Sequence, residues 1–137
     1  YPLVDLRATL TDATFDEDES SEMAFKAAAS IALRSGTEKA GPVLLEPVMK
    51  IEAVAPDEFS GIIIGDLSAR GGHIEGLQPR GLGMQAVRAM VPLAEMFGYA
   101  THLRSMTQGR GTFTMEFDHY DQVSPETVDQ ILMGWRR

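Results

Sequence analysis

Residues 43–117 read VLLEPVMKIEAVAPDEFSGIIIGDLSARGGHIEGLQPRGLGMQAVRAMVPLAEMFGYATHLRSMTQGRGTFTMEF, and the order of elements in this stretch decides the fold. Its last residues carry the clearest signal. Phe113, Met115 and Phe117 alternate with Thr112, Thr114 and Glu116, the period-two pattern of a strand with one buried face. At the other end Val43 to Val54 is extended and apolar, and Pro47 marks an edge or a bulge there. Pro56-Asp57-Glu58 predicts a helix start, because proline is pre-set for the first turn and acids favour the positive end of the helix dipole. Phe59, Ile62, Ile63 and Leu67 recur at helical spacing as its buried stripe, and Gly71-Gly72 ends it.

His73 to Leu77 then reads as a short strand, turned by Pro79-Arg80-Gly81 into a second one. Val87, Ala89 and Val91 face one way in that strand and Arg88 the other. A second helix is expected from about Leu93 to Met106, with Met96, Phe97 and Leu103 inward. Strand, helix, strand, strand, helix, strand is the α+β split-βαβ order, a ferredoxin-like βαββαβ sandwich with two helices on one face of an antiparallel sheet. Beyond it Ser124-Pro125-Glu126 caps a short helix whose Val128, Ile131, Leu132 and Trp135 should dock on the domain.

Upstream, Ala40-Gly41-Pro42 is the domain boundary, which separates residues 1–40 from residues 42–137. Val4 to Leu10 alternates and reads as a strand. After the acidic loop Asp16-Glu17-Asp18-Glu19, Ser20 and Ser21 offer cap hydroxyls to a helix from Glu22 to about Leu33, with Gly36 as its stop. One strand and one helix cannot close a core. Residues 1–40 therefore read as the strand-helix remnant of a second α/β domain, and the chain as a piece of something longer. Their open apolar face and strand edge invite self-association, whereas residues 43–123 are expected to fold alone.

The 137 residues carry a formal net charge of −8, a sequence pI near 4.8, and no cysteine. Disulfide scaffolds, thiolate zinc sites and cysteine nucleophiles are thereby excluded. Seven of the acids lie in residues 1–22, so the charge is concentrated at the start. An acidic total argues against charge-driven nucleic-acid binding but leaves open a shape-specific contact made by a few arginines. No apolar run approaches the ~18 residues of a membrane helix, and Tyr1-Pro2-Leu3-Val4 does not read as a signal peptide, so the expected compartment is the cytosol. No Gly-Lys pair exists from which to build a nucleotide-cradling Walker loop. Gly81-Leu82-Gly83-Met84-Gln85-Ala86 precedes a strand where a dinucleotide fingerprint would need a helix. His73, His102 and His119 lack metal-ligand spacing, and no Gly-x-Ser-x-Gly elbow presents a serine. No catalytic or metal residue is assigned. An acylphosphatase-like or ligand-binding ferredoxin-fold domain is the alternative on fold grounds, but Leu44-Leu45-Glu46-Pro47 is acidic where an anion cradle would lie.

One loop stands out. Arg104-Ser105-Met106-Thr107-Gln108-Gly109-Arg110-Gly111 offers two guanidinium forks, two hydroxyls, one amide and approachable glycine backbone. Such a set can grip phosphates and base edges without a large net charge; the alternative is a polar turn whose glycines only supply positive φ.

At this loop the chain closely resembles the C-terminal region of bacterial elongation factor G. The resemblance is carried by Pro92-Leu93-Ala94-Glu95-Met96-Phe97-Gly98-Tyr99-Ala100-Thr101, Leu103-Arg104-Ser105, Thr107-Gln108-Gly109-Arg110 and Met115-Glu116-Phe117. Ser20 to Lys26 and Pro42 to Lys50 extend it over nearly the whole chain. It implies that residues 1–40 end the family's fourth domain and that residues 42–137 are its fifth, with GTP and magnesium held on a GTPase domain upstream. It further implies a ribosome-bound module of a translocase. Ser105 and Gln108 would face large-subunit rRNA near the sarcin-ricin loop and stalk base, with Arg104 and Arg110 beside them and Arg70 on the same surface. Phe15, Asp16, Glu17 and Asp18 would form the tip that enters the small-subunit decoding site with tRNA and mRNA. The family usually has histidine and valine where this chain has Asp16 and Asp18. That departure makes the tip more negative among phosphates and points to a paralogue, with a ribosomal protection or recycling factor as the alternative within the family.

Overall fold

A computed structural model describes residues 1–134 and divides between Val43 and Leu44 into two compact units. In the first, helix α1 (Glu22–Lys39) is capped by Ser21, whose Oγ accepts from the Ala24 N–H at 3.1 Å. The expected stop at Gly36 does not occur. The helix passes through it and closes on Ala40, whose N–H donates to the Gly36 and Thr37 carbonyls. One interior glycine costs only about 1 kcal/mol relative to alanine, which the additional turn offsets. The strand expected at Val4 to Leu10 is also absent. A strand needs a neighbour for its backbone groups, and none of the described residues supplies one. No residue of α1 is buried, and Leu3, Leu10, Met23 and Ile31 are exposed.

The second unit holds the sandwich. Its elements are β1 (Leu45–Pro56), α2 (Ser60–Ala69), β2 (His73–Gly81), β3 (Met84–Pro92), α3 (Tyr99–Met106), β4 (Thr112–Gln122) and α4 (Pro125–Gly134). The sheet order is β2-β3-β1-β4, antiparallel throughout, as the βαββαβ order requires. Pro47 therefore lies in a central strand and not at an edge. It is tolerated because the β3 ladder begins only at Val48, next to a register shift against β4 that leaves Asp118 unpaired. On the other side of the sheet, Pro79-Arg80-Gly81 belongs to edge strand β2, not to the turn. The chain reverses one step later through Leu82 and Gly83, both at positive φ (+53° and +74°), the two-residue turn that matches strand twist.

Both helices begin later than their patterns imply. Asp57–Phe59 and Leu93–Glu95 form tighter 3₁₀ turns, which shift the phase of the helical residues after them. In α2 the buried stripe is thus Ser60, Ile63 and Leu67 with Ile64 beside them, and Ile62 points outward, 52% exposed. In the second helical region Gly98 takes the left-handed conformation, so α3 starts at Tyr99. Met96 and Leu103 are buried as expected, but Phe97 is 80% exposed.

Ile51, Ala53 and Ala55 of β1 and Val87, Ala89 and Val91 of β3 form the floor of the core, roofed by Ile63, Leu67, Tyr99 and Leu103. Each large aliphatic side chain buried there contributes about 1.5–3 kcal/mol. The small alanines let α2 and α3 sit low on the sheet. On the opposite face Glu52 accepts from both Arg88 (2.9 Å) and Arg80, so Arg88 does face away from the core. Phe113 meets Tyr99 edge-on at 4.9 Å, but Met115 and Phe117 on the same strand face remain uncovered. Val128 and Ile131 of α4 are half-buried and Leu132 is exposed. Trp135 lies outside the described residues.

Tyr99 is buried, and its hydroxyl has no hydrogen-bond partner among the described residues. Burial, then the neighbouring Asp66, push its phenol up to about 12, partly opposed by Arg70. A raised folded-state value means that the unfolded chain loses this proton first. The contribution is fully present below pH ~10, the ordinary tyrosine value, and is lost as pH rises toward 12. Tyr99→Phe removes an unpaired buried hydroxyl and should keep or raise stability at neutral pH. Urea titrations across pH 7–12 should show a shallower alkaline decline for the variant; an equal decline would place the effect elsewhere.

Candidate functional site

The loop from α3 to β4 is closed from inside. Thr107 is fully buried; its Oγ1 donates to the Leu103 carbonyl (2.7 Å) and accepts from the Gly111 N–H (2.8 Å). A Cβ at Gly111 would lie 2.7 Å from that oxygen, so only glycine permits the approach. The Gly109 N–H donates to the Arg104 carbonyl and the Arg110 N–H to that of Thr107. Between them Gln108 and Gly109 both take positive φ, +55° and +78°. Thr107 is thus not one of the hydroxyls that the loop offers, contrary to its sequence appearance. Composition could not reveal this, because a threonine that bonds its own turn looks the same as an exposed one.

Arg110 is also committed. Its guanidinium donates to Glu58 at 3.1 Å and lies over the Phe59 ring at 5.8 Å. Arg104, Ser105 and Gln108 remain exposed, and their side chains make no hydrogen bond or ion pair among the described residues. Arg70 sits apart, in the seam between α2 and α3. Its Nε donates to Asp66 at 3.0 Å, its Nη1 donates to the Glu95 carbonyl, and its guanidinium lies 5.1 Å above the Tyr99 ring. Asp66 also meets His102 Nε2 at 3.0 Å, so both of its oxygens are engaged. The structure sets Arg104 and Ser105 in the last turn of α3 and Gln108 and Arg110 in the loop that follows it, and ties Arg70 into the helix packing.

In the first unit Asp16 organises the acidic loop. Its Oδ1 accepts from the Asp18 N–H (2.9 Å) and the Glu19 N–H (3.2 Å). Its own N–H donates to Ser20 Oγ, and its carbonyl accepts from the Ser20 N–H, each at 2.8 Å. Phe15 stacks on Phe25 of α1 at 6.1 Å, which fixes where the loop meets the helix. The carboxylates of Glu17 and Asp18 are exposed and without partners among the described residues.

No group of three or more histidines or acids among the described residues is placed to hold a metal ion. His102 faces Asp66 and His119 faces Asp118. Among the described residues no helix is long and apolar enough to cross a membrane.

Residues 43–131 match the family model described as Elongation factor G C-terminus, and residues 1–41 match the one described as Elongation factor G, domain IV. The chain belongs to the elongation factor G family. The crystal structure of ttk003000868 from Thermus thermophilus is similar, with a TM-score of 0.76 and 40% identity. That likeness covers 88% of this chain and 18% of the other. As a member of the elongation factor G family the chain is a translation-factor module, made of the residues that match that family's domain IV and its C-terminus.

Gln108 supplies a test of what the loop is for. A non-glycine residue held at positive φ costs of order 1–3 kcal/mol, and here its side chain gains no hydrogen bond or ion pair among the described residues. Gln108→Gly should leave urea stability unchanged or raise it by about 1 kcal/mol, after the entropy that glycine adds to the unfolded state. A clear loss of stability would mean that the glutamine serves the fold.

Proposed function

We propose that this chain is a ribosome-binding module of an elongation-factor-G-like GTPase, acting in movement of tRNA and mRNA. GTP and magnesium belong to a domain upstream, and no residue here is assigned to them. The Arg104, Ser105 and Gln108 side chains contact large-subunit rRNA near the sarcin-ricin loop and stalk base. Arg110 flanks that contact from its place beside Glu58, and Arg70 supports the surface through the α2–α3 seam. The observation that carries this is the exposed Gln108 side-chain amide, held at φ +55° with no hydrogen-bond partner among the described residues. A serine hydroxyl, an amide and a guanidinium provide the donors and acceptors that a folded RNA loop presents, and they do so without a basic surface.

The test is titration of fluorescently labelled chain onto bacterial large ribosomal subunits. Changing Ser105 and Gln108 together to alanine removes two hydrogen bonds of about 1 kcal/mol each, so binding should weaken about thirty-fold. Chemical footprinting should lose protection at the same rRNA loop. Unchanged affinity and footprint would leave the segment as a turn.

The acidic tip favours a second, narrower reading: a paralogue that translocates slowly or serves protection or recycling. Phe15 to Asp18 would approach the decoding site, where three carboxylates within four residues meet phosphates inside the ~8 Å Debye length. Asp16 also builds its own turn, so a histidine there changes both charge and loop. Asp16→Asn keeps the accepting oxygen and removes one charge. In the intact factor, single-round translocation should quicken with Asp16→Asn while ribosome-stimulated GTP hydrolysis stays the same. Equal translocation rates would mean that the charge is tolerated.

A further inference from the structure

The side chains assigned to rRNA are held in place by a group that never reaches the RNA. We infer that Thr107 is the positioning residue of this contact, an inference that rests on the proposed function of the loop. Its hydroxyl bridges the last turn of α3 to the residue that opens into β4: Leu103 carbonyl on one side, Gly111 N–H on the other. Thr107 N–H also donates to Leu103, and Arg110 N–H returns to the Thr107 carbonyl. The five residues 107–111 are therefore closed at both ends by one side chain. Within that closure Gln108 must turn left-handed, because Gly109 N–H has to come back to the Arg104 carbonyl at 2.8 Å.

Without the Thr107 hydroxyl, the left-handed turn at Gln108 rests on the Gly109–Arg104 and Arg110–Thr107 backbone bonds alone, in a conformation that glutamine avoids by itself. Gly111 would lose its acceptor, and Gln108 could relax to ordinary φ. A change of that size at one residue redirects the Gln108 amide relative to Ser105, which sits one helical turn earlier on α3. The pair would then no longer meet one RNA surface together. The fit is also tight from the outside, since Gly111 presents no Cβ to Thr107. Oxygen position and loop shape are thus coupled. Positioning of this kind improves affinity mainly by sparing the loop an ordering cost on binding.

Thr107→Val keeps the shape of the side chain and removes the hydroxyl, whereas Thr107→Ser keeps the hydroxyl. Both are compared with wild type and with the Ser105/Gln108 double alanine variant in two assays: binding of the labelled chain to large ribosomal subunits, and amide hydrogen exchange. Thr107→Val should speed exchange at Gly109 and Gly111 while the β1–β3 ladder stays protected. It should weaken binding at least ten-fold although every proposed contact side chain is still present. Thr107→Ser should restore binding to within about three-fold of wild type. Wild-type affinity for Thr107→Val, with Gly111 exchange accelerated, would overturn the positioning role and leave the loop contact standing if the double alanine variant binds weakly. Wild-type affinity for the double alanine variant would instead overturn the contact itself. Should Thr107→Val lose protection across the whole sheet, Gly111→Ala, which presses on the same oxygen, decides the matter: loosened loop amides with weak binding support the role. Loss of the sheet in that variant too overturns it, because Thr107 would then hold the fold and not the loop.

Discussion

β1 forms hydrogen bonds along both of its edges, with β3 from Val48 to Pro56 and with β4 from Leu45 to Val54, and the rest of the domain depends on that double pairing. The two partners are far apart in sequence, so neither can be placed until the chain between them has crossed the sheet. α2 and α3 make those crossings, and their buried residues meet Ile51, Ala53 and Ala55 of the same strand. Central position and small side chains work together here. The strand supplies backbone partners to both sides, and its alanines let both helices pack low enough to exclude water.

The consequence for function lies at the end of α3. The second crossing must reverse into β4 within a few residues, while Leu103 and Tyr99 stay anchored in the core. Thr107 and Gly111 accomplish the reversal at close quarters, and the cost falls on Gln108. The Gln108 side chain makes no hydrogen bond or ion pair among the described residues, so the strained position presents an uncommitted amide. Arg110 is held at Glu58 and Phe59, which steadies the far side of the loop, while the Arg104, Ser105 and Gln108 side chains have no hydrogen-bond partner among the described residues.

The first unit behaves differently because it has no sheet of its own. α1 forms from local signals, a serine cap and an alanine-rich run, yet buries none of its residues. Its acidic loop is ordered by hydrogen bonds that run almost entirely within residues 16–20, with Asp16 at their centre. Charge and geometry at Asp16 are therefore inseparable in a histidine substitution and separable in an asparagine one.

The sequence by itself determined the element order of the sandwich, the alternation of β3 and β4, the Ser21 cap and the family. Each of these is written in local pattern: periods of two or 3.6 residues, a cap hydroxyl, or contiguous motifs. Polar character at the α3–β4 loop was legible in the same way. What only the tertiary structure decided was which of those polar groups face outward. Ile62 and Phe97 turned away from the core because 3₁₀ turns and Gly98 shifted the helical phase, and no local rule counts through such a break. The strand at Val4 to Leu10 failed to form for want of a partner, and Arg70 became a seam residue because Asp66 and the Glu95 carbonyl came within reach. Thr107 passed from candidate ligand contact to buried latch for the same reason. Hydrogen-bond partners brought together by packing are a property of three dimensions, and residue type alone cannot say whether a hydroxyl is offered or already taken.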